Sequence, residues 1–131
     1  MNSSEIPQGS ETILVVDDHE SIWEFMIEAL QELGYTVILA ENGLDCVEIY
    51  KNNPGMIDLV ILDMIMPVLS GYEAFMQIKE FAPDVKCLLS SGYVSEDEVR
   101  TLLDNGAKGF LSKPYGMVQL AKEIRRILDG Q

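Results

Sequence analysis

The sequence lacks positive charge along its first 50 residues, which carry 11 Asp or Glu residues and no Lys or Arg. Over the whole chain, 9 basic residues stand against 22 acidic ones, giving a formal net charge of −13. Because neutralising nucleic-acid phosphates requires clustered Lys and Arg, this balance disfavours direct nucleic-acid binding by the chain.

Cysteine and long apolar runs are also scarce. The 2 cysteines, Cys46 and Cys87, fit neither a metal-site spacing nor the framework of a secreted disulfide-rich domain. No apolar run approaches the ~20 residues that a membrane span requires. The start MNSSEIPQGSE lacks the charged and apolar blocks of a signal peptide. We therefore expect reduced thiols, no membrane insertion and a cytoplasmic location.

What the sequence does contain is an alternation of short β-branched runs with longer segments of helical period. The short runs predict strands over residues 12–16, 36–40, 57–62, 85–90 and 108–112, and the longer segments predict helices near 20–33, 43–52, 70–81, 95–105 and 115–128. This pattern predicts one α/β domain over residues 11–129, after a flexible lead at residues 1–10. The expected architecture is a doubly wound (βα)5 parallel sheet of flavodoxin-like order 2-1-3-4-5.

Three acidic residues follow two strands that this order makes neighbours. Asp17 and Asp18 end the stretch ILVVDD after the first strand, and Asp63 ends the third strand in LVILDMIMP. Their carboxylates should converge where the strand order reverses. Such a cluster is unfavourable unless a cation or a retained proton relieves it. Oxygen ligands of this kind indicate Mg²⁺ or Mn²⁺.

Two further polar residues should lie at the same edge of the sheet. Lys113 follows the fifth strand in FLSKPY, and Ser91 ends the fourth strand in LLSSGY. A carboxylate nucleophile, a divalent cation, an ammonium and a hydroxyl are the groups that phosphoryl transfer uses. For Ser91 and the adjacent Ser90, the alternative role is a simple hydrogen bond to the backbone.

As a set, ILVVDD, LVILDMIMPVLSGYE, LLSSGY and GAKGFLSKPYGMVQL resemble receiver domains of the two-component response-regulator family. The resemblance covers residues 11–129 and implies a phosphorelay signalling module, not an enzyme acting on separate substrates. It implies that Asp63 accepts a phosphoryl group from a partner's phosphohistidine or a small acyl phosphate. The implied partners are histidine kinases and histidine phosphotransfer domains.

The resemblance also implies the metal ligands. Asp18 would bind the cation directly, Asp17 would bind it through water, and the main-chain carbonyl of Ile65 would be a further ligand. His19 stands where many relatives carry an acid. We expect its side chain to face solvent at the start of a helix, in preference to ligating the metal.

The remaining site roles likewise come from the resemblance. Lys113 would pair with the phosphate, and the Lys113–Pro114 bond is expected to be cis. Ser91 would be the switch hydroxyl that moves toward the phosphate, and Phe110 the aromatic whose burial is coupled to that movement. Ordinary strand core is the alternative for Phe110. Many relatives have a tyrosine at this position. Because Phe110 has no hydroxyl, only the packing of its ring could report the switch.

Phosphate loss should be slow, because the positions that could orient a hydrolytic water carry the bulky Ile65 and Tyr93. Two rival functions are a Mg²⁺-dependent phosphohydrolase and a receiver-like interaction scaffold that is not regulated by phosphorylation. The first usually has an Asp-x-Asp pattern after its first strand and needs a cap or substrate pocket. The second would be expected to lose Asp63, Lys113 or the acidic pair, and all are present.

The first helix suggests where a partner docks. At 100° per residue, its core stripe is predicted to consist of Ile22, Phe25, Met26, Ala29, Leu30 and Leu33. Trp23 and Ile27 extend the apolar arc beyond this stripe and lie side by side at i, i+4 spacing. We hypothesise that both are partly exposed docking anchors, with deeper burial as the alternative.

The sequence indicates little about which downstream partner or domain the module regulates. One context is a stand-alone regulator, and the other is a receiver from a longer chain such as a hybrid histidine kinase, which the lead GSETILVVDD favours. The fourth helix, fifth strand and fifth helix form the family's usual signalling face and are a candidate surface for self-association. This face is relatively basic through Lys108, Lys122, Arg125 and Arg126.

Overall fold

Five strands alternate with five helices in the computed structural model, which describes residues 6–66, 68–92 and 94–130. The strands are β1 (Thr12–Val16), β2 (Thr36–Ala40), β3 (Leu59–Asp63), β4 (Cys87–Ser91) and β5 (Gly109–Ser112). The helices are α1 (Glu20–Glu32), α2 (Gly43–Asn52), α3 (Gly71–Phe81), α4 (Glu96–Asp104) and α5 (Met117–Leu128). Every predicted strand and helix is confirmed, with small shifts at the ends.

All neighbouring strands are parallel, and their order is β2-β1-β3-β4-β5, as predicted. Val16 of β1 pairs with Ala40 on one side and Leu62 on the other. Asp63, one residue further along β3, pairs with Ser90 of β4. Because the strands are parallel, the ends of β1, β3 and β4 meet at one edge of the sheet.

The sheet is covered on both faces, so its strands are apolar almost throughout. Side chains alternate between the faces, as Leu14 packs with α2, α3 and α4 while Ile13 and Val15 pack with α1 and α5. We call these the α2–α4 layer and the α1/α5 layer. Cys46 and Cys87 are buried free thiols in the α2–α4 layer.

Local hydrogen bonds fix where helices begin and end. At the start of α3, the Ser70 hydroxyl accepts from the Glu73 backbone N–H, and the Glu73 carboxylate accepts from the Ser70 backbone N–H. Ser95 accepts from the Glu98 N–H in the same way at the start of α4. Gly34 follows α1 with a φ of 104°, the left-handed conformation that favours glycine at a helix end.

The chain contacts the domain body before β1 begins. Of the predicted flexible lead at residues 1–10, residues 1–5 lie outside the described part of the structure. Ile6 packs against the α1/α5 layer, and the Gly9 N–H donates to the Leu33 carbonyl at 3.1 Å. Across residues 6–66, 68–92 and 94–130, no helix combines the length and hydropathy needed to cross a membrane.

One residue of the predicted α1 core stripe lies elsewhere. Phe25 is 37% exposed, so its assignment to the core was wrong. It lines a surface cavity of about 170 Å³ beside α5, together with Ala29 and Met117. Met26 and Leu30 are the fully buried α1 residues in the α1/α5 layer, and Phe25 lies at the edge of the stripe that they define.

Gly71 determines how closely α3 approaches the end of β3. A Cβ atom at this position would overlap the backbone carbonyl of Asp63. We predict that Gly71→Ala displaces the loop after β3 and lowers the free energy of unfolding by about 1–3 kcal/mol. Urea unfolding would measure this loss, with Gly92→Ala as the control because a Cβ there meets no atom within 4 Å and Gly92 caps no helix. Equal stability of the two variants would contradict the prediction.

Candidate functional site

Three carboxylates meet at the carboxyl edge of the sheet. Asp17 and Asp63 are buried, with exposed fractions of only 2% and 4%, whereas Asp18 reaches the surface. The turn after β1 carries the first pair, and the last residue of β3 is Asp63 itself. The predicted convergence of the three residues is therefore found in the structure.

Lys113 supplies positive charge to this cluster. Its Nζ atom donates to Asp17 Oδ2 at 2.9 Å and lies 3.5 Å from Asp63 Oδ1. The loop after β5 is held in place by the Lys113 backbone N–H, which donates to the Ser91 carbonyl at 2.9 Å. The Lys113–Pro114 peptide bond is cis, as the resemblance implied.

Asp63 carries an electrostatic cost in the folded state. Burial raises the pKa of its carboxyl above the usual value, and the nearby Asp17 raises it further. Lys113 acts in the opposite direction and lowers this pKa, as does the Ile65 N–H, which donates to Asp63 Oδ1 at 3.3 Å. The net shift is upward, so the favourable contacts only partly compensate for burial.

His19 stands at the start of α1 with an exposed side chain, as expected, and its ring also contacts the acidic pair. Its side chain is 61% exposed, yet Nδ1 lies 2.9 Å from Asp17 Oδ1 and 3.2 Å from Asp18 Oδ1. The hydrogen bond to Asp17 and the charge of Asp18 raise the pKa of His19. The His19 backbone N–H also donates to Asp17 Oδ1 at 2.9 Å, which folds the turn so that the ring reaches both acids.

Two aromatic residues lie beside the site: Trp23, which the sequence indicated only as a docking anchor, and Tyr115, which was not predicted as a site residue. The Trp23 indole N–H donates to the backbone carbonyl of Asp17. The Tyr115 hydroxyl interacts with Ser90, and burial raises the pKa of Tyr115 to about 12, with further increases from the charges of Asp17 and Asp63. The only sequence signal for Tyr115 was its place directly after Lys113-Pro114.

Because side chains alternate between the two faces of a strand, Ser90 and Ser91 of β4 lie on opposite faces of the sheet. Ser90 faces the α1/α5 layer, where it meets Tyr115. Ser91 is buried and, following Leu89 by two residues, belongs to the α2–α4 side of the sheet. Phe110 is half-buried against that same side.

The remaining predicted site residues are at least partly exposed where the structure describes them. Ile65 is 67% exposed in the loop after β3, and Tyr93 lies outside the described residues. Trp23 and Ile27 are both half-buried on α1.

The donor atoms of this site fit a divalent cation. One ligand atom from each of Asp17, Asp18, His19 and Asp63 lies within 4.8 Å of the others. Carboxylate oxygens gathered at this spacing are the ligands that hard divalent cations take, and bound cations often carry the largest charge in such a site. The residues present therefore suit a divalent cation beside a reactive carboxylate.

Comparison with known protein families gives a match over most of the chain. The family model described as Response regulator receiver domain matches residues 13–125. The chain is 34% identical over 123 residues to the sensor kinase CckA of Brucella abortus, covering 94% of this chain and 13% of that kinase. It is 34% identical over 116 residues to the response regulator MprA of a Mycobacterium species, covering 88% of this chain and half of MprA.

A shorter relative is matched over nearly its full length. The chemotaxis protein CheY of Halobacterium salinarum is 31% identical over 118 residues, which cover 90% of this chain and 97% of that protein. Among solved structures, a response regulator receiver domain protein from Clostridium thermocellum superposes with a TM-score of 0.86 at 29% identity, covering 92% of this chain and 95% of that one. The CheX-CheY-BeF3-Mg complex from Borrelia burgdorferi gives a TM-score of 0.87 at 28% identity, covering 95% and 92%.

The electrostatic cost at Asp63 predicts a pH-dependent gain in stability when its charge is removed. In chelator-treated protein at pH ~7, Asp63→Asn should raise the free energy of unfolding, because a carboxyl with a raised folded pKa is more costly to ionise in the folded state. The gain should shrink as the pH falls through the folded pKa and vanish below the ordinary value of 3.8.

Urea unfolding of the wild type and the variant across this pH range measures the effect. Asp84→Asn serves as the control, because Asp84 is exposed in the turn before β4. A loss of stability in Asp63→Asn at neutral pH, or a gain that does not change with pH, would contradict the prediction.

Proposed function

Because the chain belongs to the family of response regulator receiver domains, which act in phosphorelay signalling, we propose that Asp63 is its phospho-acceptor. The module, residues 11–129, accepts a phosphoryl group from a phosphohistidine of a histidine kinase or histidine phosphotransfer domain. It acts in the cytoplasm, which agrees with its buried free thiols.

One observation carries this proposal, namely that the Lys113 ammonium lies within 3.5 Å of carboxylate oxygens on both Asp17 and Asp63. An oxygen of Asp63 attacks the phosphorus, a new O–P bond forms, and the N–P bond to the donor imidazole breaks. Lys113 is close enough to stabilise the negative charge on the transferred group. Burial of Asp63 keeps bulk water away from the reacting carboxylate.

The residues proposed to hold a divalent cation are Asp17, Asp18, Asp63 and the main-chain carbonyl of Ile65, with Mg²⁺ as the default ion and Mn²⁺ as its substitute. A bound cation supplies charge that balances the carboxylates and orients phosphate oxygens. Without it, Lys113 and the Ile65 N–H are the contacts from the described residues that offset burial and the charge of Asp17 at Asp63. The phosphorylation reaction should therefore depend on the cation.

The proposed switch uses residues on the α2–α4 side of the sheet. Ser91 is a better candidate than Ser90, because the Ser90 hydroxyl interacts with Tyr115 on the opposite side. Phe110 shares the side of Ser91, which supports coupling between the hydroxyl and the aromatic ring. Movement of this pair would transmit phosphorylation to α4, β5 and α5.

The same surface is the proposed site of self-association or partner binding after phosphorylation. Its basic character is smaller than the residue count suggests, since Arg125 pairs with Glu11 at 2.7 Å and Arg126 pairs with Glu123. Lys108 and Lys122 remain exposed. Helix α4 adds Glu96, Asp97, Glu98 and Asp104 to the same face, so its acidic groups offset these lysines and a complementary partner needs no excess of acidic groups.

Incubation with an acyl phosphate and Mg²⁺ tests the proposal directly. We expect the intact mass of the wild type to rise by one phosphoryl group, with no rise in Asp63→Asn and an unchanged rise in the control Asp84→Asn. Omission of Mg²⁺ should abolish labelling. Failure of the wild type to incorporate phosphate would instead favour the scaffold function, and sustained release of phosphate from an ester would favour a phosphohydrolase.

The persistence of the label is a second readout of this experiment. Hydrolysis of the aspartyl phosphate should be slow once the donor is removed, because Ile65 presents an exposed apolar side chain that cannot orient a water molecule. The module thus catalyses its own phosphorylation and then slowly loses the phosphoryl group. A lifetime of seconds would contradict this part of the proposal.

We also propose that the partner docks on α1 through Ile27 and Trp23. Ile27 gives the cleaner test, because Trp23 donates a hydrogen bond to the Asp17 carbonyl and its loss would disturb the acidic pair. Both residues are half-buried, which leaves part of each apolar surface available to a partner.

Ile27→Ala should slow phosphotransfer from a histidine phosphotransfer domain about fivefold or more, since loss of an interface anchor costs more than about 1 kcal/mol. Labelling by an acyl phosphate should be unchanged. Leu44→Ala, an exposed apolar substitution on α2, is the matched control and should affect neither reaction. Equal slowing of both reactions by Ile27→Ala would contradict a docking role.

A further inference from the structure

His19 is positioned to take part in cation binding. It stands at the N-cap of α1 with extended backbone, and within the described residues its side chain does not cap the helix. Its ring instead turns back toward the acidic pair, where Nδ1 lies 2.9 Å from Asp17 Oδ1 and 3.2 Å from Asp18 Oδ1. The imidazole nitrogen therefore faces the same space as the carboxylate oxygens.

These separations match the spacing of neighbouring ligands around one cation. Ligand atoms about 2.1 Å from an octahedral cation are about 3.0 Å apart when they occupy adjacent positions. The distances from His19 Nδ1 to the two carboxylate oxygens, 2.9 and 3.2 Å, lie on either side of this value. An oxygen of Asp63 also lies within 4.8 Å of the other three ligand atoms.

We propose that His19 Nδ1 is a direct ligand and that this nitrogen gives the site a preference for first-row transition-metal dications over Mg²⁺. This inference depends on the proposed cation site, whose other ligands are oxygens. Imidazole nitrogen binds Fe²⁺, Co²⁺, Ni²⁺ and Zn²⁺ well, whereas Mg²⁺ prefers oxygen and keeps its waters. One histidine therefore raises the affinity of the site for these ions relative to its affinity for Mg²⁺.

A different role for His19 predicts a different pattern of affinities. If the imidazole only acted as a positive counter-charge to Asp17 and Asp18, it would compete with every dication in the same way. Replacing it would then strengthen Mg²⁺, Co²⁺ and Ni²⁺ binding by the same factor. A ligand role instead requires that Co²⁺ and Ni²⁺ binding weaken while Mg²⁺ binding stays equal or improves.

Calorimetric titration of tag-free protein with Mg²⁺, Co²⁺ and Ni²⁺ separates these cases. We use His19→Asn, whose side chain favours a helix N-cap, and His19→Phe, which keeps a ring without nitrogen. Both variants should raise the Kd for Co²⁺ and Ni²⁺ about tenfold or more and leave the Kd for Mg²⁺ equal or lower. A common shift for all three ions would overturn the inference.

A spectroscopic measurement identifies the ligand atom. The chain has 1 histidine, so a histidine-nitrogen coupling to bound Mn²⁺ in pulsed EPR can arise only from His19. The coupling should change on selective ¹⁵N-histidine labelling and disappear in both variants. Mn²⁺ bound without nitrogen coupling would overturn the His19 inference and leave the cation site intact, whereas binding that Asp18→Asn does not weaken would overturn the cation site itself.

Discussion

The contact between one lysine ammonium and two buried carboxylates organises this molecule. Lys113 lies 2.9 Å from Asp17 and 3.5 Å from Asp63, and neither acid has much access to water. Removing charges from water is costly, and a single ammonium does not fully balance two nearby carboxylates. The pKa of Asp63 is raised because burial and the charge of Asp17 together outweigh the contact with Lys113. The same electrostatic condition supports the proposed roles of Asp63 as the phospho-acceptor and of the acidic cluster as a cation site.

The fold creates this condition through its strand order. β1 and β3 are neighbours although α1, β2 and α2 separate them in sequence, so their acidic ends lie side by side. Close packing of Gly71 against the Asp63 carbonyl then allows α3 to begin beside the site. Lys113 reaches the cluster from the far side because the loop after β5 is hydrogen-bonded to the end of β4. Residues distant in sequence thus share one edge of the sheet.

The sequence predicted the strands, helices and acidic cluster because each leaves a periodic or positional signal. Alternating apolar segments specify a parallel sheet, and charged residues directly after buried strands specify its functional edge. Phe25 was wrongly assigned to the core because helical periodicity shows which residues of α1 share an apolar stripe. It does not show how much of the width of that stripe the rest of the protein buries. The contacts of His19 and Trp23 depend on side-chain rotation at the junction of β1 and α1, which no spacing rule encodes.

The account depends on an excess of negative charge in the folded site that a divalent cation neutralises on binding. The stability of the protein as a function of Mg²⁺ concentration tests this most directly. The free energy of unfolding should rise with the logarithm of Mg²⁺ concentration, reaching about 2.7 kcal/mol of added stability at 100 times the Kd. Replacement of Asp18 by Asn should largely remove this dependence. A wild-type protein whose stability is the same with and without Mg²⁺ would contradict the account.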